Sequence, residues 1–327
     1  MKVLVTGASG HIGNVLVRKL VERGEDVRIL TIEGDKPDWL KELPLEVYKG
    51  DIRDKELVMQ AVEGREVVFH LASIISISSY PSKELYEVNV GGTQNVIDAC
   101  LAHKVRRLVY TSSVHALPDL PNNQLITEES DFNPDELLGG YAKTKATATK
   151  AVKGAVEKGL DAVICFPAGV LGPYDFRGSE AGKMIADYMY NRLGFYLEGQ
   201  YNFVDVRDVV AGILLAYEKG RAGEGYMLAG ETATINELMD IIRSKTPNMR
   251  SHLKVPVKLA LVSSYVTEWL FSFINKKPPF TPYSIKVLQS NCNFSHQKSI
   301  TELGYTYRPI QESIHDAMAW FREQEGK

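Results

Sequence analysis

The sequence predicts an α/β fold: a doubly wound parallel sheet of the Rossmann kind, with a smaller C-terminal substrate lobe interleaved with it. Three observations carry this. Short β-branched runs alternate with longer helical patterns over roughly the first 170 residues, the rhythm of βαβ units around a parallel sheet. The first strand ends in a glycine-rich turn that opens directly onto a helix. The length, 327 residues, suits about two domains or one α/β unit with an insertion.

Taken in order, strands are expected near 2–6, 26–31, 45–49, 66–71, 106–112 and 161–166, and helices near 11–23, 54–63, 82–103 and 140–159. Gly24, Gly64 and Gly159 fall where left-handed C-caps would sit. From Pro167 the rhythm changes to a Tyr-rich, Gly-containing stretch, then a strand–helix pattern returns at 201–219. We therefore expect a dinucleotide-binding unit of residues 1–166 plus about 201–222, and a substrate lobe of about 167–200 plus 223–327. Pro256, Pro278, Pro279, Pro282 and Pro309 break the later chain into short pieces resembling a lid over the sheet edge. Right-handed crossovers put the strand C-termini on one edge, where open α/β sheets bind ligands.

Composition narrows the function classes. A net charge of −3 with the signs interspersed offers no basic field for nucleic acid. The longest stretch free of Asp, Glu, Lys and Arg, Val67 to Ser82, is polar and too short for a bilayer, so no transmembrane segment is expected. The opening residues carry no secretory pattern, which gives a cytoplasmic expectation. Cys100, Cys165 and Cys292 form no C-x-x-C, so neither a disulfide framework nor a metal site is expected and all three read as packing residues.

The turn is Thr6-Gly7-Ala8-Ser9-Gly10-His11-Ile12-Gly13. Gly7 permits the tight bend, Gly10 lets the backbone approach a pyrophosphate, and Gly13 lets helix pack on strand. The helix N-terminus adds free N–H groups for phosphate. At the end of the second strand an acidic residue would select NAD and an Arg would select NADP. Thr31-Ile32 offers neither, and Glu33 and Lys36 in the following loop point in opposite directions, so the cofactor reads as NAD(P). Asp51, followed by Ile52, ends the third strand, where it can accept from an adenine amino group or cap the next helix; Asp54 is the better cap.

The fifth strand runs into Thr111-Ser112-Ser113, and the following helix carries Tyr141 and Lys145. At i and i+4 they share a face about 5 to 6 Å apart. A Lys ammonium there, with an oxidised nicotinamide cation nearby, is expected to lower the Tyr pKa and make it an acid/base, with a Ser hydroxyl holding the reacting oxygen. Lys143, two residues from Tyr141, should face elsewhere. His70 ends an apolar strand and reads as a satisfied core histidine; His115 lies two residues past Ser113 and is not expected in the site.

These motifs, with Gly-Asp-Ile-Arg-Asp at 50–54, His70-Leu71-Ala72, Asn89-Val90-Gly91-Gly92-Thr93 and Phe166-Pro167-x-x-Val170-x-Gly172-Pro173, resemble the extended short-chain dehydrogenase/reductases over nearly the whole chain. The resemblance implies Tyr141 as acid/base, Lys145 as its partner and a ligand of the nicotinamide ribose, and Ser113 as the substrate-orienting hydroxyl. It places Leu71, Ala72, Ser73, Thr111, Pro167, Gly169 and Val170 along the cofactor and Asn89 in support, and it implies a homodimer through the 82–103 and 140–159 helices. Sugar-nucleotide epimerases and dehydratases of this family usually carry Arg-Asp-Phe where this chain reads Tyr201-Asn202-Phe203. The missing guanidinium argues against a diphosphate. The pattern at 203–210 and 223–230 looks closest to dihydroflavonol-4-reductase-like and hopanoid-associated or sterol-dehydrogenase-like members.

Tyr174, Phe176, Tyr188, Tyr190, Phe195, Tyr196 and Tyr201 crowd one region and suit either a lobe core or an apolar pocket. Val255 to Ile274, with Trp269, Phe271 and Phe273, reads as a core helix, with contact to lipid as the other choice. The expectation is an NAD(P)-dependent oxidoreductase acting on the carbonyl or alcohol of a hydrophobic small molecule. The alternatives are a nucleotide-sugar epimerase or dehydratase, and a noncatalytic dinucleotide sensor, which the Tyr/Lys pair disfavours.

Overall fold

The computed structural model describes residues 1–35, 37–78, 82–130, 133–272 and 281–326; Lys36, Phe273, Ile274, Pro278 and Pro279 lie outside the described residues, as does the Trp269 side chain. The chain runs β1 (Lys2–Thr6), α1 (His11–Glu22), β2 (Asp26–Thr31), β3 (Leu45–Lys49), α2 (Lys55–Val62), β4 (Val67–His70), α3 (Lys83–Tyr86), α4 (Thr93–Ala102), β5 (Arg107–Thr111), α5 (Gly140–Val156) and β6 (Ala162–Pro167). There follow β7 (Gly169–Leu171), α6 (Glu180–Met189), β8 (Phe195–Leu197), β9 (Gln200–Asp205), α7 (Val206–Lys219), β10 (Gly225–Leu228), β11 (Glu231–Thr234), α8 (Ile235–Ser244), β12 (Leu253–Val255), α9 (Val257–Ser272), α10 (Pro282–Val287) and α11 (Ile310–Glu325).

Seven parallel strands make the main sheet, in the order β10-β6-β5-β4-β1-β2-β3. Strands β1, β4, β6 and β10 are almost wholly buried and aliphatic-rich, as strands covered by helices on both faces must be. The order reverses between β1 and β4, which makes their shared C-terminal end the crevice of the sheet. All six expected strands of the first 170 residues are present, and Gly24, Gly64 and Gly159 have positive φ.

Two expectations are corrected. The strand at 200–205 does not return to the main sheet; β9 pairs with β7 and β11 in a separate three-stranded sheet. The return is made by α7 and by β10, which pairs with β6 from Gly225–Ile164 to Leu228–Pro167. The short apolar run Gly-Tyr-Met-Leu is too brief to show a strand period, and its parallel, fully buried pairing supplies the order. The helix expected over 82–103 is present without a break from Lys83 to Ala102, but it is not α-helical throughout. Between α3 and α4, residues Glu87–Gly92 form a π-turn that holds Asn89, a widening frequent at functional sites. A second apolar cluster, with Leu171, Ile185, Phe203, Leu238, Ile242, Ile314 and Met318, forms the core of the smaller lobe.

Candidate functional site

The glycine turn sits in the crevice. Gly7 takes φ +73° and abuts the chain leaving β4: a Cβ there would lie 2.6 Å from the Ala72 nitrogen. At Gly13 a Cβ would lie 2.1 Å from the Gly7 carbonyl, so only hydrogen lets α1 approach the turn. Gly10 is different. Its added Cβ would meet only the Gly7 carbonyl, at 3.4 Å, and otherwise faces open space. Gly10 is also the N-cap of α1 without a capping side chain, leaving the first-turn amides of His11, Ile12 and Gly13 without intrahelical acceptors. A bare cradle ending in free N–H groups and a helix dipole fits the pyrophosphate of a dinucleotide.

Residues 173–177 cross over this turn. His11 Nε2 meets the Pro173 carbonyl at 2.9 Å, Asn14 Nδ2 donates to the Tyr174 carbonyl at 3.1 Å, and Phe176 stacks on Trp39 with centroids 4.9 Å apart. Arg177 donates to Ser9 Oγ at 2.8 Å and to Asp35 at 3.1 Å. Thr31 is buried at the end of β2 and its carbonyl accepts from Gly50, while Ile32 is exposed. The charged groups described beside the turn are thus Arg177 and Asp35, a pair invisible at the sequence level because 142 residues separate them. Asp51 is held by Arg53 at 2.6 Å, which lowers its pKa, and the α2 cap is Asp54, accepting from the Leu57 amide. Ile52 packs against Gly92 of the π-turn.

His70 organises the base of the crevice. The Ala72 amide donates to Thr6 Oγ1 at 3.2 Å, Thr6 Oγ1 meets His70 Nδ1 at 2.7 Å, His70 Nε2 meets Thr93 Oγ1 at 2.9 Å, and Thr93 Oγ1 donates to the Asn89 carbonyl at 2.6 Å. One direction of donation satisfies all four: a neutral ring protonated at Nε2. Burial holds His70 near a pKa of about 3. Asn89 clamps Ile74 through both its amide and its carbonyl and donates to Thr144 on α5 at 3.1 Å. Leu71 and Ala72, tied to Thr6, line the crevice with the half-buried Ser73.

Ser113, Tyr141 and Lys145 come together beside it, all buried. The Ser113 hydroxyl accepts from the His115 amide at 3.2 Å and acts to lower the Tyr141 pKa. Lys145 Nζ donates to the Thr111 carbonyl at 2.7 Å, and the Thr111 hydroxyl is buried without a partner. Ser112 instead bonds Thr149 at 2.7 Å, fastening β5 to α5. Without a dinucleotide beside them, burial pushes Tyr141 up to about 12, against the pull of Ser113, and pushes Lys145 down to about 7. Lys143 points away, reaching the Asp135 carbonyl. Pro167, Gly169 and Val170 form the β6–β7 junction, where a Cβ on Gly169 would strike the Tyr201 ring at 2.7 Å.

His115, set aside in the sequence, belongs to this cluster. Its Nε2 meets the Tyr201 hydroxyl at 2.9 Å and its ring lies edge-on to Tyr141 at 6.0 Å. A narrow cleft opens here, lined by Val114, His115, Leu117, Ile126, Leu137, Ala142, Tyr201, Tyr283, Val287 and Phe294, with Asp119, Lys286, Ser290 and Asn291 among its polar members. Of the expected aromatic group only Tyr201 lines it; Tyr188 is buried in the lobe core and Phe176 covers the glycine turn. Tyr283, from the far end of the chain, had no sequence signal.

The sheet, the glycine cradle and the Ser113–Tyr141–Lys145 cluster define an extended short-chain dehydrogenase/reductase, an NAD(P)-dependent oxidoreductase. Residues 3–229 match the NAD dependent epimerase/dehydratase family, and the chain belongs to it. It is 36% identical over 99% of both chains to a protein named sterol demethylase protein B of Methylococcus capsulatus. It is 30% identical to a putative dihydroflavonol 4-reductase of Synechocystis, over 97% of this chain and 94% of that one. The solved structure of gox2253 superposes with a TM-score of 0.86 at 30% identity, covering 99% of this chain and 98% of that one.

Proposed function

We propose that the protein uses NAD(P)H to reduce the carbonyl of an apolar small molecule, or oxidises the matching alcohol in reverse. The observation that carries this is the gathering of buried Ser113, Tyr141 and Lys145, with Tyr141 edge-on to His115, a lining residue of a cleft rich in apolar side chains. The bound cofactor supplies or accepts the hydride. Ser113 holds the substrate oxygen, and Tyr141 gives it a proton as the carbon becomes an alcohol carbon. A phenol pushed up to about 12 stays protonated at neutral pH, the form that reduction needs. Lys145, Thr111 and the Pro167–Val170 backbone are the residues that would hold the nicotinamide end; Ser9 to Gly13 would hold the phosphates, with Asp51 and Ile52 at the adenine end.

Tyr201 supports a reductase over a sugar-nucleotide enzyme. Where a diphosphate would need a guanidinium, this chain places a phenol already engaged by His115. Two copies are expected to pair through α4 and α5, and the chain divides into a sheet unit and an interleaved lobe.

Tyr141→Phe tests the reading. Turnover should vanish while NADH or NADPH still binds, followed by nicotinamide fluorescence. Ketones and sugar nucleotides screened with both cofactors separate the alternatives: tight co-purifying NAD with no net consumption would favour the epimerase or dehydratase reading.

A further inference from the structure

Helix α9 carries apolar residues on both of its sides. Inward, Val257, Ala260 and Leu261 pack with Leu197 and Ile285, and Ser264 and Glu268 are buried and polar. Its outward positions Leu259, Val262, Tyr265, Val266 and Leu270 are all more than half exposed. A helix meant to face water carries the opposite pattern, so this is neither the expected core helix nor an ordinary surface one. The apolar surface continues at Leu253, which is 72% exposed.

Within its own stretch of chain the exposed charges of this face are basic. Between Asn248 and Ser272 the acidic residue is Glu268, which is buried, while Arg250, Lys254 and Lys258 are exposed. Lys254 pairs with Glu198. The whole chain carries −3, so a local basic margin around an apolar stripe runs against its overall charge.

We propose that this face docks on an anionic lipid bilayer, with α9 lying in the interfacial plane, its aliphatic stripe in the acyl boundary and its basic margin among the headgroups. A second copy fits less well. A two-fold contact would set the basic margin of each copy near that of the other. No helix among the described residues is long and apolar enough to cross a membrane, so α9 would lie on the bilayer. The placement also has a use: α9 packs on α10, whose Tyr283, Lys286 and Val287 line the cleft. Delivery of a lipid-dissolved substrate to that cleft rests on the function proposed above; the docking itself does not.

Flotation of the cofactor-free, full-length protein tests it, using phosphatidylcholine vesicles and vesicles of phosphatidylcholine and phosphatidylglycerol at about three to one. The protein should float with the mixed vesicles and about fivefold less with the neutral ones. Val262→Ser/Val266→Ser should cut flotation about tenfold while thermal unfolding and reduction of a water-soluble ketone stay at wild-type levels. Lys258→Gln should weaken binding to the mixed vesicles alone. Absence of flotation, a double variant that floats like wild type, or an oligomer that the double variant reduces to a smaller species would overturn the proposal. Loss of ketone reduction in wild type with flotation intact would strike the catalytic reading instead.

Discussion

Lys145 donates to the Thr111 carbonyl at 2.7 Å and lies 4.9 Å from the centre of the Tyr110 ring, with no carboxylate beside it among the described residues. Its charge is held by a carbonyl and an aromatic face alone, and burial brings its pKa down to about 7. Between pH 7 and 10.5 the unfolded chain binds a proton there that the folded chain does not, so stability rises with pH across that window. Lys145→Met should therefore stabilise the fold by about 1 to 4 kcal/mol at pH 6. The gain should shrink toward pH 10, as urea unfolding at the two values would read. Turnover should be lost at both.

Acid should act through histidine. His70, bonded as a neutral ring, and His115, lowered to about 4 by burial, both charge in the unfolded chain near pH 6.5. Below that value the unfolded state binds protons that the folded state refuses, so stability is lost from about pH 6.5 down to 4. Thermal melts through this range should show the decline, and His115→Phe should flatten it. An unchanged slope in that variant would remove His115 from the account.

Gly13 and Gly10 should respond differently to substitution. Gly13→Ala drives a methyl to 2.1 Å from the Gly7 carbonyl and should cost about 3 kcal/mol. Gly10→Ala meets only an oxygen at 3.4 Å, so the fold should weaken by no more than about 1 kcal/mol. Its methyl would stand in the phosphate approach, and NADH titration should show binding lost in a protein that still melts cooperatively.

Arg177→Met should weaken dinucleotide binding about tenfold, the worth of one charge-assisted hydrogen bond. A loss confined to NADPH would place the guanidinium on the 2′-phosphate, and equal losses for NADH would place it on the pyrophosphate. Unchanged titrations with both would reduce Arg177 to a partner of Asp35.

What the sequence made legible was local. The Gly7–Gly13 turn, the strand ending at Ser113 and the Tyr141–Lys145 face are each set by spacing within one or two elements. Arg177, Tyr201 and Tyr283 reach the site from segments whose sequence neighbours say nothing about the sheet edge; topology alone brings them there. Spacing gives the distance between Tyr141 and Lys145 but not their burial, which raises the pKa of the one and lowers that of the other. Likewise β9 and β10 exchanged places because a short apolar strand does not announce which sheet will accept it.

The pairing of β10 with β6 gives the molecule a timetable. As the chain is synthesised, six strands can assemble once Pro167 has left the ribosome, yet β6 then presents an open parallel edge until Gly225–Leu228 follows. Such an edge invites pairing with a neighbouring nascent chain. The residues made in the interval, from Gly169 through α7, stand between the nascent sheet and its final strand. A chain stalled within them would carry most of its cofactor cradle on a sheet whose border is still open.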